Sequence, residues 1–409
     1  MTLDCLYEFS SGLSKPRTEF GTGFPFLSFK DVFDNYFVPR ELKERVRSTE
    51  QERRALSVKR GDVFLTRTSE TVDELGMSCV ALRDIPDATF NGFTKRLRPR
   101  PDARVAPEYA GYYFRGPEFR SQVYAMSSLS TRASLNSEML SRLTIRLPST
   151  PVQERIGAVL KALDDKIDLN RRMSETLEAM AQALFKSWFV DFEPVRAKAA
   201  GYNTGLGVSL GAVFPAELAE SDVGEIPAGW LVQEIGDLLE LAYGKALRAE
   251  DRKIGTVPVY GSNGQVGWHD QRLVSGPGIV VGRKGNPGVV TWVPTDFFPI
   301  DTTFFVIPKL DCRSLEFLFF ALQDQGLSAL GADSAVPGVN RNLIYQSKQI
   351  LPSPRVLEEF SRIAGSLLDR SRECVAEAQV LGALRDALLP GLISGDLMID
   401  RMSTLGGRG

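Results

Sequence analysis

A single histidine, His269, and four scattered cysteines, Cys5, Cys79, Cys312 and Cys374, leave this 409-residue chain with few residues for metal or triad chemistry. No CxxC pair occurs, so free thiols and no metal site are expected. Long apolar runs are also missing. The densest short ones, around Leu315 to Leu322 and Ile279 to Val281, have the length of buried elements and fall short of the roughly 18 residues that span a bilayer. The opening MTLDCLYEF lacks a basic region followed by an apolar stretch, so no secretory signal is expected and the cytoplasm is the default location. No GxxxxGK[ST] phosphate loop is present, and GLGVSLG (Gly205 to Gly211) has the wrong glycine spacing for a dinucleotide loop.

An excess of either charge is lacking as well: the net charge is -2, which by itself argues against a nucleic-acid partner. The sum hides an uneven distribution. Residues 1–150 hold 23 basic and 19 acidic side chains, whereas residues 151–225 hold 8 and 12. A local phosphate-binding face is therefore permitted, because binding depends on a patch and not on the total.

What the sequence does contain is a repeat. At an offset of 204 residues it matches itself without gaps from about Asn136 to Leu184 against Asn340 to Leu388, pairing Leu147-Pro148 with Leu351-Pro352 and Leu177 with Leu381. Each copy opens a long helix after its Leu-Pro pair. In the first, Thr150 is the expected N-cap, Pro151 the first helical residue and Gln153 the capping-box partner; in the second, Ser353 and Pro354 play these parts. Ile156, Leu160, Leu163, Ile167, Met173, Leu177, Met180, Leu184 and Trp188 form one apolar seam, and Phe360, Ala364, Leu367, Cys374, Ala378, Leu381, Leu384 and Leu388 the other. Asn170, opposite Cys374 in the repeat, is a polar residue at a seam position and a candidate for fixing register. At 35 to 40 residues, each helix extends about 50 to 60 Å.

These features predict two α/β (α+β) heads separated by a pair of long antiparallel helices forming an intramolecular coiled coil, with pseudo-twofold internal repeat. The expected boundaries are 1–148 for the first head, 149–190 for the first helix, 191–229 for a Gly-rich linker, 230–352 for the second head, 353–400 for the second helix and 401–409 for a tail. Strands are expected at Val63 to Thr66, Gly278 to Val281 and Phe304 to Ile307, with short helices at Pro107 to Tyr113 and Leu315 to Leu322. The alternating charges of Glu41 to Arg54 predict a solvated helix face.

Polar, glycine-flanked loops in matched places carry the candidate contacts, since Arg, Lys, Asn, Ser and Thr reach phosphates and base edges. In the first head these are Lys15, Arg17, Lys30, Arg67, Thr68, Ser69, Arg132 and Asn136. In the second they are Lys245, Arg248, Ser262, Asn263, Arg283, Lys284, Asn286, Asn340 and Arg341. A cofactor-binding glycine motif and an Asn/Asp-Pro-Pro-aromatic loop, which a DNA methyltransferase needs, are both absent, so no catalytic residue is expected.

The run LPSTPVQERIGAVLKALDDKIDLNRRMSETLEAMAQALFKSWFVDFEP (Leu147 to Pro194) and VGEIPAGW (Val223 to Trp230) resemble the specificity subunits of type I restriction-modification enzymes. GLSKPRTEFGTGFPFLSFKDV (Gly12 to Val32) and VYGSNGQVG (Val259 to Gly267) are similar to that family's recognition-domain openings. The resemblance implies two target-recognition domains, each reading half of a bipartite, asymmetric site on double-stranded DNA. It further implies docking of two modification subunits on the repeated helices, with restriction subunits joining for ATP-dependent cleavage. S-adenosylmethionine, ATP and Mg would then sit on those partners, with no cofactor on this chain and no membrane partner. The other readings are a specificity subunit of a methyltransferase-only or fused system, a methyltransferase or nuclease acting alone, and a coiled-coil adaptor without DNA contact.

Overall fold

A computed structural model describes residues 1–68, 74–127, 134–329 and 338–397. The chain divides into two compact units, Met1–Leu169 with Glu377–Gly409, and Asn170–Ala376. Each long helix, Thr150–Phe189 and Pro354–Ser394, contributes one half to each unit.

The first unit holds β1 (Tyr7–Ser11), β2 (Phe20–Leu27), β3 (Arg45–Val46), β4 (Val63–Thr66), β5 (Ser78–Val80), β6 (Thr89–Phe90) and β7 (Thr94–Pro99). One antiparallel sheet has the order β1-β7-β4-β5, and a smaller one has the order β3-β2-β6. All four residues of β4 are buried, which is why an unbroken apolar run forms an interior strand. On β7 the side chains alternate: Leu97 enters the core, while Arg96 and Arg98 face the Ser57 carbonyl, and Arg98 holds buried Asp62 through two bonds of 2.8 and 2.6 Å.

Behind the larger sheet, the helix Pro107–Tyr113 buries Tyr109, Tyr112 and Tyr113 against Ile156 and Leu160 of the first long helix and Leu389, Leu392 and Ile393 of the second. The two helices run antiparallel here, with Asp164 bonded to Arg385 at 2.6 Å and Lys166 near Glu377 at 3.4 Å. Tyr112 donates to the same Asp164 carboxylate at 2.6 Å. The helix start differs from the expected cap. Val152 and Gln153 amides bond back to the Ser149 carbonyl, so the cap lies one residue before Thr150. Gln153 is buried and forms no capping box; it accepts from the Ala106 amide and donates to the Arg104 and Pro148 carbonyls, pinning the helix start to the head.

The second unit contains β8 (Leu218–Ser221), β9 (Gly224–Pro227), β10 (Leu231–Glu234), β11 (Leu239–Tyr243), β12 (Val257–Gly261), β13 (Gly264–His269), β14 (Gly278–Gly282), β15 (Val290–Val293), β16 (Phe298–Pro299), β17 (Thr303–Pro308) and β18 (Lys348–Leu351). Its main sheet is β11-β17-β14-β15, antiparallel throughout, and a smaller one is β13-β12-β16. In both units the four strands of the main sheet, taken in chain order, lie as first, fourth, second, third. In both small sheets the middle strand is antiparallel to one neighbour and parallel to the other. The helix Leu315–Asp324 covers the second main sheet, and its Phe317 and Phe320 join Phe185, Trp188, Phe189 and Phe360 in an aromatic core.

In this unit the paired helix segments meet through hydroxyls: buried Ser174 and Ser371 are 2.8 Å apart, and Ser371 donates to Glu178 at 2.8 Å. Asn170 is buried as expected, and its amide has no hydrogen-bond partner among the described residues. Two expected seam residues lie outside, Met180 at 52% and Leu384 at 45% exposure. The buried stripe passes instead through Ser174, Ala181, Phe185 and Trp188; Ser174, Ala181 and Trp188 continue the seven-residue spacing of Leu160 and Ile167 with small, polar and aromatic side chains.

Residues 191–229, expected as a linker, are folded: helices Glu193–Ala199 and Val208–Gly211 precede the β8–β9 hairpin. Phe192, Val195, Phe214 and Trp230 are buried in the core of the second unit. Of the charged run Glu41 to Arg54, only Glu50–Ala55 is helical, capped by Thr49 and Glu52, while Arg45–Val46 is β3.

Candidate nucleic-acid interface

At one end of each main sheet a basic residue follows the second strand, and the same backbone bonds hold it in both units. In the second unit the Arg283 amide donates to the Thr302 carbonyl at 2.9 Å, and the Val339 amide donates to the Arg283 carbonyl at 3.2 Å. In the first unit the Arg67 amide donates to Phe93 at 2.9 Å, and the Leu135 amide donates to Arg67 at 2.8 Å. Isolated bridges continue the match, Lys284 with Gly338 and Thr68 with Ser134. Asn340 and Asn136 then cap short helices, accepting from the amides of Asn342 and Met139. Gly282 lets this turn close, since a Cβ there would stand 2.3 Å from the Asn286 carbonyl oxygen.

In the second unit this frame encloses an open cavity of about 330 Å³ lined by Tyr243, Arg283, Lys284, Phe304, Asn340 and Arg341, among others. Tyr243 pairs with Phe304 across β11 and β17. The Arg283 guanidinium lies 5.3 Å and that of Arg341 5.1 Å from the Tyr243 ring centre, a separation at which cation and ring attract. Nε and Nη2 of Arg283 both donate to the Asp301 carbonyl, and Nη1 of Arg341 donates to the Leu241 carbonyl at 3.4 Å. Among the described residues, Arg283, Lys284 and Arg341 form no ion pair.

The first unit lines the frame differently. Ser11 and Lys95 are register partners on β1 and β7, at the place of Tyr243 and Phe304. The Lys95 ammonium donates to Ser11 at 2.9 Å and Ser137 at 3.3 Å. Burial, followed by the charge of Arg67, lowers the Lys95 pKa. Nε of Arg67 is buried without a hydrogen-bond partner among the described residues. Both corners therefore hold positive charge with no carboxylate paired to it among the described residues, an arrangement that attracts phosphate and offers donors to base edges.

The structure gathers seven expected contacts into these corners: Arg67, Thr68 and Asn136 in one, Arg283, Lys284, Asn340 and Arg341 in the other. Asn136 and Asn340 spend their side-chain oxygens on helix caps. Asn263, at the β12–β13 turn, and Asn286 are exposed outside them. Lys30 is exposed in the first turn of the helix Phe29–Asp34, Arg17 is exposed in a short 3₁₀ turn, and Lys245 is exposed with its amide donating to Pro299. Lys15 is paired with Glu52 at 2.8 Å, lowering that carboxyl's pKa, and Arg248 lies 3.8 Å from Glu250. Ser262 is not a surface contact: it is buried and donates to the Thr302 carbonyl, supporting the turn that holds Arg283. Ser69 and Arg132 lie outside the described residues. Sequence reasoning missed Lys95 and Tyr243. A signal for Lys95 lies in the alternation of Lys95, Arg96, Leu97 and Arg98, which turns the lysine away from the paired arginines.

Among the described residues, no group of three or more His, Cys, Asp or Glu is placed to hold a metal, and no helix is long and apolar enough to cross a membrane. Residues 13–179 match the family described as type I restriction modification DNA specificity domain. The chain is 24% identical to the type I restriction enzyme HindI specificity subunit of Haemophilus influenzae, over 91% of this chain and 94% of the relative. It is also 24% identical to the type I restriction enzyme MjaIX specificity subunit of Methanocaldococcus jannaschii, over 96% and 92%. In fold it is similar to the S subunit of a type I restriction-modification system from M. genitalium, with a TM-score of 0.63 at 14% identity, covering 96% of this chain and 95% of that one.

Proposed function

Residues 13–179 belong to the type I restriction modification DNA specificity domain family, and from this premise we propose that the chain reads DNA for a type I restriction-modification complex without catalysing the reaction itself. The observation that carries the proposal is the pair of cationic corners, unpaired with any carboxylate among the described residues, built on one backbone frame and lined by different side chains. Each corner reads one half of a bipartite, asymmetric site. Because Arg67 and Lys95 line one corner and Arg283, Lys284 and Arg341 the other, the two halves differ in sequence.

The long helices set the number of unread base pairs between the halves and carry the docking surfaces for two modification subunits, with restriction subunits joining the assembly. Methyl transfer from S-adenosylmethionine and ATP- and Mg-dependent cleavage belong to those partners, in the cytoplasm where the DNA lies.

The test compares Arg67→Ala with Lys95→Ala against Arg283→Ala with Lys284→Ala, each pair in the assembled complex at one fixed salt concentration. Lost contacts worth about 1–3 kcal/mol each weaken binding by tens to thousands of fold. Sequencing of methylated DNA then shows relaxed preference in one half-site for the first pair and in the other for the second. Unchanged affinity in both folded, assembled variants overturns the proposal.

A further inference from the structure

We propose that Arg283 and Arg341 are a guanine-reading pair, so that the half-site of the second unit contains a G·C base pair recognised in the cavity beside Tyr243. The inference rests on the DNA-reading function proposed above and adds the identity of one base. Its starting point is the donor inventory. A guanidinium carries five N–H groups and no acceptor. Arg283 commits its Nε–Nη2 edge to the Asp301 carbonyl, leaving its Nη1–Nη2 edge open. Arg341 commits one Nη1 hydrogen to Leu241, leaving its Nε–Nη2 edge open. Attraction to the Tyr243 ring acts through the ring face and consumes no N–H. Among the described residues, each arginine is thus tethered and still presents a free two-donor fork.

In the major groove only guanine offers two adjacent acceptors, O6 and N7, to such a fork. Adenine presents a donor beside its acceptor and leaves one N–H unmatched. A phosphate also has two acceptors, but the cavity lining favours a base. Tyr243 and Phe304 supply ring faces that repel an anion and tolerate a flat heteroaromatic edge. The first unit lacks this device, since Ser11 and Lys95 stand where the second unit has Tyr243 and Phe304, and an ammonium is a point charge without a fork.

The experiment uses the assembled complex and duplexes carrying its own site, as established by sequencing of methylated DNA. Each guanine of the half-site is replaced in turn by 7-deazaguanine, which lacks the N7 acceptor. The expected result is a loss of about 5- to 150-fold at one guanine for the native complex. Arg283→Ala and Arg341→Ala each bind the unmodified duplex more weakly, and the one that removes the fork on N7 is insensitive to that replacement, since the single N7 lone pair accepts from one arginine. Arg341→Lys, which keeps the charge, also weakens binding of the unmodified duplex because an ammonium lacks the planar fork, although it can still donate to N7. The inference is overturned if no guanine responds, or if both alanine variants respond as the native complex does. A uniform loss on all DNA with a shallower salt dependence overturns it too, identifying a phosphate clamp. In each of these outcomes, native binding that still prefers the mapped site leaves the DNA-reading function standing; binding without any site preference removes that function instead.

Discussion

Where β1 and β7 bring Ser11 beside Lys95, β11 and β17 bring Tyr243 beside Phe304, and the backbone around both positions makes the same bonds. Two hydroxyls hold the lysine in a partly desolvated place next to Arg67, whereas aromatic faces and backbone carbonyls hold the two arginines. The frame sets where charge is displayed, and the lining sets what that charge can recognise. One fold can therefore present two different chemistries without moving its strands.

The helix pair repeats the contrast. Its segments in the first unit join through the half-buried Asp164–Arg385 pair, also held by Tyr112, and its segments in the second unit through Ser174, Ser371 and Glu178. Energetic independence of the two units is open to a direct break. Phe360→Ala removes a fully buried ring from the second core and costs about 3–5 kcal/mol. Hydrogen exchange then shows lost protection in β11, β14 and β17 while β1, β4 and β7 keep theirs; Phe114→Ala, in the first core, shows the reverse. Simultaneous loss in both units with either variant would mean that they unfold as one.

A smaller effect sharpens the contrast between the helix contacts. Arg385→Ala leaves the Asp164 carboxylate with the Tyr112 hydroxyl and without its cation, costing about 1–3 kcal/mol, less than a fully buried pair because both groups retain some solvent. Ser371→Ala removes a hydroxyl that donates to the Glu178 carboxylate and meets Ser174, and costs about 1.5 kcal/mol, the low end of the range for a hydrogen bond to a charged group. Urea unfolding of the two variants measures the difference, and equal losses would erase the distinction between an ionic and a hydroxyl contact.

The smallest effect concerns the thiols, which require no change in stability to be read. Burial pushes the Cys312 thiol up to about 12 and raises that of Cys79, and Cys374 is buried, while Cys5 is exposed. Iodoacetamide at mildly alkaline pH should modify Cys5 alone in the native chain and all four in urea, as peptide mass spectrometry would show. Rapid native labelling at Cys374 would instead reveal opening of the helix segments in the second unit.

Several elements were legible locally. Val63–Thr66 and Pro107–Tyr113 fall at their expected bounds because an apolar run between polar turns and a proline at a helix start are signals carried by neighbouring residues. Phe192 to Gly229 was not legible: Phe192, Val195 and Phe214 are spaced without a period, and only the fold shows that they share one core. Met180 and Leu384 likewise matched a pattern of apolar residues, but the heptad that packs runs through small and polar positions such as Ser174 and Ser371 and leaves both outside.

The sequence by itself determined the two long helices, the interior strands β4, β14 and β17 and the positions of the basic loops, since these follow from periodicity, caps and composition over short stretches. Only the tertiary structure decided which charges remain unpaired. Lys15 meets Glu52, and Arg98 meets Asp62, partners separated by tens of residues, whereas Arg67, Arg283 and Arg341 meet no carboxylate among the described residues. An ion pair is a contact in space, so the availability of a basic residue to DNA depends on what folding brings within about 4 Å of it, information that no local pattern carries.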